Sequence, residues 1–168
     1  GDFTRDFWAY PNALQTTSLM DMRNNVSVEN ALYFYVANNV PKVYVNGSDI
    51  ITGSQGFNLS TWTHCEIVRS SGTITVYING SSVGSASASA DFANAKPLVI
   101  GNNYGNTNGW NGYIDALRVY KGQALHTGNF TAPTTEAVGN ANTKLVANFN
   151  GNNASTTFLD TNLIAQDI

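Results

Sequence analysis

Between residues 62 and 120 the chain is cut into short β-branched and aromatic blocks by turn dipeptides, and this rhythm constrains the fold most. The stretch reads WTHCEIVRSSGTITVYING, then a run of small residues, then PLVIGNNYG, and finally WNGYIDALRVYKG. Ser-Gly, Asn-Gly and Asn-rich turns at regular spacing between such blocks describe an antiparallel sandwich or barrel. No segment carries helical periodicity. The expectation is an all-β fold, an antiparallel two-sheet β-sandwich.

Strands are expected at residues 3–10, 31–37, 40–46, 49–52, 63–69, 73–79, 81–88, 97–101 and 112–120. In the first, alternation puts Phe3, Phe7 and Ala9 on one face and Asp6, Trp8 and Tyr10 on the other. Residues 31–37 (ALYFYVA) are aromatic enough to be buried on both faces. Asn46-Gly47 and Asn79-Gly80 are strong hairpin signals. In residues 112–120 no single alternation buries Ile114, Leu117 and Val119 together, so a bulge is expected near Asp115. The SASASA run at 85–90 reads as an edge strand with small side chains.

Charged residues make up 11% of the 168 positions, well below the roughly 25% usual in soluble proteins, and Asn, Ser, Thr and Gly take their place. This balance suits a secreted or virion protein better than a cytosolic enzyme. The net charge of −3 is spread without charge runs, which argues against a nucleic-acid partner. No apolar run approaches the ~18 residues of a membrane span, so membrane insertion is not expected. Cys65 stands alone, which excludes an intrachain disulfide and leaves a small buried hydrophobe. The chain opens without Met on GDFTRDFWAY, which looks like the interior of a sheet, so a piece of a longer protein, or a processed product, is expected.

Several of these motifs carry a family resemblance. WTHCEIVRSSGTITVYING is similar to a Trp-led strand, a Gly turn and a strand ending in Asn-Gly. NGYIDALRVYKGQALHTGNFTAPT is similar to a closing strand with a Gly-x-Ile-Asp core, and DFTRDFWAYP to an early Phe-Thr-x-x-Phe-Trp strand. Together they resemble the concanavalin A-like lectin/glucanase superfamily, in its laminin-G-like (jelly-roll) form, over residues 1–135. Two positions depart from that pattern. Arg5 stands where an aliphatic is usual, and is expected to pair with Asp6, to pair with a neighbouring chain, or to lie at an edge. Ala116 stands where a second acid is common.

Residues 136–143 read as a linker, and residues 144–168 resemble the opening strands of such a domain. They belong to a next repeat, or complete this sandwich in cis or in trans. Burial of Leu145, Ala147 and Phe149 needs a sheet nearby, which favours completion within the chain.

Relatives that cleave glycans are expected to carry Glu-x-Asp-x-x-Glu on one strand, because glycoside hydrolysis needs two carboxylates at fixed separation. The glutamates here are Glu29, Glu66 and Glu136, and none has an acid two residues away. Glu66 facing Asp115 is the remaining pair to consider. Its simpler reading is a solvated or salt-bridged strand position near Arg69 or Arg118. No Gly-x-Ser-x-Gly elbow is present. His64 and His126 do not suggest a metal pair, and His64 is expected to be a sheet residue with a satisfied ring. The chain is therefore expected not to be an enzyme.

Glycan binding is the better supported chemistry. Loop 101–111 combines Tyr104 and Trp110 with Asn102, Asn103, Asn106, Asn108 and Asn111. Sugars stack their C–H faces on aromatic rings while amides satisfy their hydroxyls. The same residues are also what a long turn requires, since Asn and Gly tolerate positive φ, and Trp110 is equally suited to capping the core. Calcium is the one cofactor the resemblance admits, since many laminin-G-like domains hold it at the sandwich rim. Asp21, Asp49 and Asp91 are the candidate carboxylates, without a dense acidic loop around them. Asn-x-Ser/Thr sequons stand at Asn25, Asn46, Asn58, Asn79, Asn129 and Asn153. Those at Asn46 and Asn79 are better explained by hairpin turns.

The expected function is a non-catalytic, lectin-like module of a larger extracellular or virion protein, such as a phage fibre, decoration protein or adhesin. Its expected partners are glycans or a cell-surface polysaccharide, together with neighbouring copies or other virion or surface subunits. The competing expectation is an architectural repeat that builds a filament or shell by strand exchange.

Overall fold

A computed structural model describes residues 1–24, 30–92 and 97–150. The sequon positions Asn25 and Asn153, together with Glu29 and the tail from residue 151 onward, lie outside the described residues. Among the described residues there is no helix. The strands are β1 (Phe3–Pro11), β2 (Thr17–Asp21), β3 (Leu32–Ala37), β4 (Val40–Val45), β5 (Ser48–Thr52), β6 (Thr63–Ser70), β7 (Thr73–Ile78), β8 (Ser81–Ser87), β9 (Val99–Ile100), β10 (Gly112–Lys121) and β11 (Thr143–Ala147). They form a six-stranded sheet in the order β11-β10-β1-β6-β7-β8 and a five-stranded sheet in the order β5-β4-β3-β2-β9. Every pairing is antiparallel.

Turn chemistry sets this meander. Asn38-Asn39, Asn46-Gly47, Ser71-Gly72 and Asn79-Gly80 all hold positive φ at both residues. That geometry matches the right-handed twist of flanking strands, and Asn and Gly reach it at least cost. Alternation then turns one side of each strand inward. Phe7 of β1 meets Phe34 of β3 across the interior, ring centroids 6.1 Å apart and nearly perpendicular. Leu19, Met20, Leu32, Ile67, Ile74 and Leu117 fill the space around them, fully buried. Each such side chain contributes about 1.5–3 kcal/mol by leaving water.

The bulge expected in β10 is present. Asp6 pairs with Arg118 but Trp8 pairs with Asp115, so β10 spends an extra residue opposite Phe7. Ala116 takes φ 51°, and the Asp115 carboxylate accepts its N–H at 2.7 Å. The extra residue lets Ile114 and Leu117 both turn toward the core. β11 pairs with β10, bringing Ala147 into the core and Leu145 and Phe149 against it. The 136–143 stretch is docked on the body. Asn148 accepts the Ala137 N–H at 2.9 Å and donates to its carbonyl at 3.1 Å, while the Tyr120 hydroxyl donates to Val138 O.

Sequence reasoning passed over β2, which lies inside its sheet between β3 and β9. Its TSLMD is short, carries one β-branched residue, and is buried at every position, so no polar-apolar alternation marks it. Arg5 also departs from expectation. Asp6 faces outward, whereas Arg5 lies on the inner face, its guanidinium 4.2 Å from the Phe3 ring centroid and donating to Met22 Sδ at 2.9 Å. Its Nε and Nη1 have no hydrogen-bond partner, and burial lowers its pKa to about 10.

Residues 122–133 leave β10 and cross the outer face of the six-stranded sheet as a strap. Thr4 Oγ1 donates to Gln123 O at 3.0 Å and accepts Leu125 N–H at 2.9 Å. At the far end Phe130 N–H donates to Gly80 O at 2.9 Å, and Asn129 Oδ1 accepts Ser82 N–H at 3.0 Å. A Cβ on Gly80 would sit 1.9 Å from Phe130 O, whereas one on Gly72 would meet nothing within 4 Å; both residues have positive φ. Gly72→Ala is therefore expected to cost only the left-handed backbone term, about 1–2 kcal/mol. Gly80→Ala should cost at least about 1 kcal/mol more, from displacing the strap and its hydrogen bond. Paired urea titrations measure the difference.

Candidate functional site

The outer face of the five-stranded sheet is not crossed by the strap, and it is paved with tyrosine. In β3, Leu32, Phe34 and Val36 point inward, which leaves Tyr33 and Tyr35 outside. In β4, Val43 and Val45 point inward, which leaves Lys42 and Tyr44 outside. Register places Tyr33 beside Tyr44, Tyr35 beside Lys42, and Asp21 of β2 beside Tyr33. The Tyr33 and Tyr35 rings stack at 4.7 Å with planes 8° apart. The Tyr33 hydroxyl shares a 2.8 Å hydrogen bond with Ser18 Oγ.

Arg23, just beyond β2, lies on this floor with its guanidinium carbon 3.9 Å from the Tyr33 centroid, 5.2 Å from that of Tyr44 and 5.1 Å from that of Tyr104. Asp21 holds it with two hydrogen bonds, 3.0 Å to Nε and 2.8 Å to Nη2. The same carboxylate accepts the backbone N–H of Arg23 at 2.9 Å and of Tyr104 at 3.1 Å. Burial works to lower the guanidinium pKa, but the hydrogen bonds and charge of Asp21 outweigh it and the net direction is up. Arg23 is therefore a fixed cation stacked on aromatic rings. At the far side, Asp49 accepts from the Tyr35 hydroxyl at 2.7 Å and from Lys42 Nζ at 2.8 Å.

The structure separates the residues of loop 101–111. Tyr104 and Asn108 join the tyrosine face. Asn108 hydrogen-bonds Tyr33, and its carbonyl accepts Ser18 N–H at 2.9 Å. Asn103 is buried and builds the turn, accepting Thr107 N–H and donating to Thr107 Oγ1, both at 2.9 Å. Asn106 takes φ 56° and accepts from Asn102. Asn111 offers its carbonyl to Asn12 N–H. Trp110 turns away from the face, edge-on to Phe57 at 5.8 Å, with Nε1 donating to Tyr113 O at 3.2 Å.

Of the carboxylates considered for calcium, Asp21 is committed to Arg23 and two N–H groups, Asp49 lies on a strand beside Lys42, and Asp91 is exposed after β8. Among the described residues no group of three or more His, Cys, Asp and Glu side chains has metal-binding geometry. Arg23, Tyr33, Tyr35 and Tyr44 were missed as site residues. The alternation in LYFYVA was the available signal, obscured because both sets of side chains are aromatic.

The strap roofs a second polar cluster, on the opposite sheet. Glu66 faces Asp6 across β6 and β1, not Asp115, which stands opposite Trp8. Asp6 is fully buried and held by Arg118, with Nε at 3.0 Å from Oδ2. Glu66 is equally buried, contacts His126 Nδ1 at 2.9 Å, and, as expected, lies within electrostatic reach of Arg118. His126 stacks on Phe130 at 3.7 Å. His64 lies with Nε2 3.4 Å from Asp6, but its buried Nδ1 has no hydrogen-bond partner, so its ring is only half satisfied. Two carboxylates on adjacent strands are thus present, but sealed from solvent.

The chain belongs to the concanavalin A-like lectin/glucanases superfamily, whose laminin-G-type family model matches residues 1–128. No curated protein matches the sequence. Among solved structures, the chain is similar to the heptameric SAP-like pentraxin of Limulus polyphemus, with TM-score 0.59 and 22% identity over 75% of this chain and 66% of that one. It is also similar to the IT-sialidase CBM40 of Ruminococcus gnavus bound to α2,3-sialyllactose, with TM-score 0.61 and 11% identity over 75% and 78% of the two chains. Mouse laminin α1 domains LG4-5 give TM-score 0.57 and 16% identity over 83% of this chain and 41% of that one. At these identities the likeness establishes the fold, and the pentraxin and laminin chains extend well beyond the matched region.

The buried cluster has a pH signature. Burial, then the charge of Asp6, pushes Glu66 up from 4.5 to about 8, while Arg118 acts the other way. Burial lowers His126 below its usual 6.5. Folding therefore takes up a proton at Glu66, and the stability this adds is complete below 4.5 and lost as pH rises through about 8. His126 has the opposite sense and costs stability only as pH falls below its unfolded value. Thermal unfolding should show a falling melting temperature between about pH 6.5 and 8.5. Glu66→Gln should flatten that limb; an unchanged slope would contradict it.

Proposed function

We propose that this domain is a non-catalytic, lectin-like module of a larger extracellular or virion-surface protein that binds glycans on its open tyrosine face. One observation carries the reading: a sheet face, left uncrossed by the described residues, on which Tyr33, Tyr35, Tyr44 and Tyr104 surround a fixed Arg23 guanidinium. The partly exposed Tyr35, Tyr44 and Tyr104 offer ring faces to sugar C–H groups and hydroxyls to sugar oxygens, at low cost in side-chain entropy, over a buried floor of Tyr33 and Arg23. Asn108 at the rim and Asp49 at the far edge supply further polar groups for the hydroxyls. Family membership, and a relative of this fold whose structure holds sialyllactose, support the same reading.

Catalysis is not part of the proposal. Hydrolysis of a glycosidic bond requires two reachable carboxylates, one of them able to hold a proton. No such pair stands on the tyrosine face: Asp21 has no exposed surface and is committed to four N–H donors, Asp6 and Glu66 lie beneath the strap, and Asp115 and Glu136 stand on the opposite side of the sandwich.

A glycan microarray followed by calorimetric titration tests the assignment. Tyr44→Ala and Tyr104→Ala should each weaken binding of the best array hit by about tenfold or more, since aromatic anchors commonly carry 2 kcal/mol or more at interfaces. The melting temperature should change little, because both rings are partly exposed. Retained affinity in both variants would overturn the site. An array without hits, together with concentration-dependent polymerisation, would favour the architectural module.

A further inference from the structure

The strap leaves one end of the six-stranded sheet's outer face uncovered by the described residues, and aromatic side chains collect there. Trp8 and Tyr10 are successive outward residues of β1, roughly 7 Å apart along the strand. Tyr10 packs against Trp62 at 5.5 Å and against Tyr113 at 5.7 Å, each pair of rings tilted by 59°. Trp62 is 43% exposed and Tyr113 60%, the two aromatic side chains most open to solvent among the described residues. At its inner end the strip enters a cleft of about 210 Å³ lined by Trp8, Asp115, Thr135, Glu136 and Asn150 among others.

The chemistry of that cleft narrows its occupant. Among the described residues Asp115 is tied only to the neighbouring Ala116 N–H, and Glu136 only to the Asn150 amide. Among the described residues neither carboxylate has a Lys or Arg partner, while Arg118 close by is committed to Asp6. Ring faces bordered by uncompensated acids, hydroxyls and amides suit an amphipathic, uncharged or cationic ligand. They are a poor match for the centre of a protein–protein interface, from which charged groups are depleted. An acidic sugar would meet like charge.

We propose that this strip, Trp8, Tyr10, Trp62 and Tyr113 running out of the Asp115–Glu136 cleft, is a second saccharide site for a neutral or amino-sugar chain at least two rings long. It rests on the lectin reading for its ligand class alone, because its residues lie on the sheet opposite the tyrosine face. Two saccharide sites on opposite sheets of one module would let it hold two strands of a polysaccharide, or two sugars of one chain, with a gain in avidity.

The test titrates the whole chain with chito-oligosaccharides, N-acetylated (neutral) and de-N-acetylated (cationic), and with oligogalacturonate (anionic), following tryptophan fluorescence and calorimetry. Neutral and cationic oligomers should bind, and Trp62→Ala and Tyr113→Ala should each weaken them about tenfold with the melting temperature retained. Tyr44→Ala should leave this binding unchanged. Asp115→Asn with Glu136→Gln should narrow the gap between cationic and anionic oligomers. Wild-type affinity in both aromatic variants, equal binding of oligogalacturonate, or loss only in Tyr44→Ala would overturn the second site, the last while sparing the tyrosine face. Self-association that Trp62→Ala abolishes, without saccharide binding, would overturn it in favour of a contact between copies.

Discussion

Asp6 sits in the middle of the six-stranded sheet, fully buried, and its charge has to be answered on a face that would otherwise look into solvent. Arg118 answers it from the adjacent strand. A buried pair of this kind costs about 3–5 kcal/mol when one partner is removed, because the other is stranded. Low dielectric also strengthens the pair, and the strap of residues 122–133 supplies that environment. His126 and Phe130 close over Glu66 and His64, and the strap spans the sheet from Thr4 to Gly80. Strands β1, β6, β7 and β8 are thereby clamped on their outer side by the strap, as their inner side is clamped by the core.

This arrangement decides where a ligand can be met. Most outer surface of the six-stranded sheet is occupied by the chain itself, which leaves the aromatic end beside the Asp115 cleft. Among the described residues the five-stranded sheet has no such cover, and its outward residues are free to be tyrosine. The β10 bulge contributes to both outcomes. It turns Leu117 into the core, presents Arg118 to Asp6, and leaves Asp115 facing outward beside Trp8. Without the extra residue the next part of the strand would swap faces, and either the core or the ion pair would be lost.

Much of the fold was legible because hairpin chemistry is local. Asn46-Gly47 and Asn79-Gly80 name their own turns, and the conflict among Ile114, Leu117 and Val119 names a bulge. What was not legible is pairing at long range. Asp6 finds Arg118 and Glu66 finds His126 only after the sheet has brought distant segments together, and no spacing within the chain encodes that. β2 was hidden for a related reason: a strand covered on both faces has no alternation to show. The candidate site was legible in part. Loop 101–111 was found, but its partners on β3 and β4 carry aromatic residues at inward and outward positions alike, so the outward set could not be separated by pattern.

Trp110 ties these observations together. Its N–H donates to Gly101 O, its indole packs on Phe57, and Nε1 donates to Tyr113 O. Gly112 allows the chain to follow, since a Cβ there would lie 1.9 Å from Tyr10 O and 2.9 Å from the Trp110 Nε1. The ten residues that run from Tyr104 to Tyr113 therefore place one aromatic on each side of the sandwich with a third wedged between them. Trp110, partly buried against the core, acts on both surfaces by position. Of the two readings the sequence offered for Trp110, a sugar contact or a cap on the core, its packing on Phe57 matches the cap, and its removal would disturb both aromatic surfaces at once through packing.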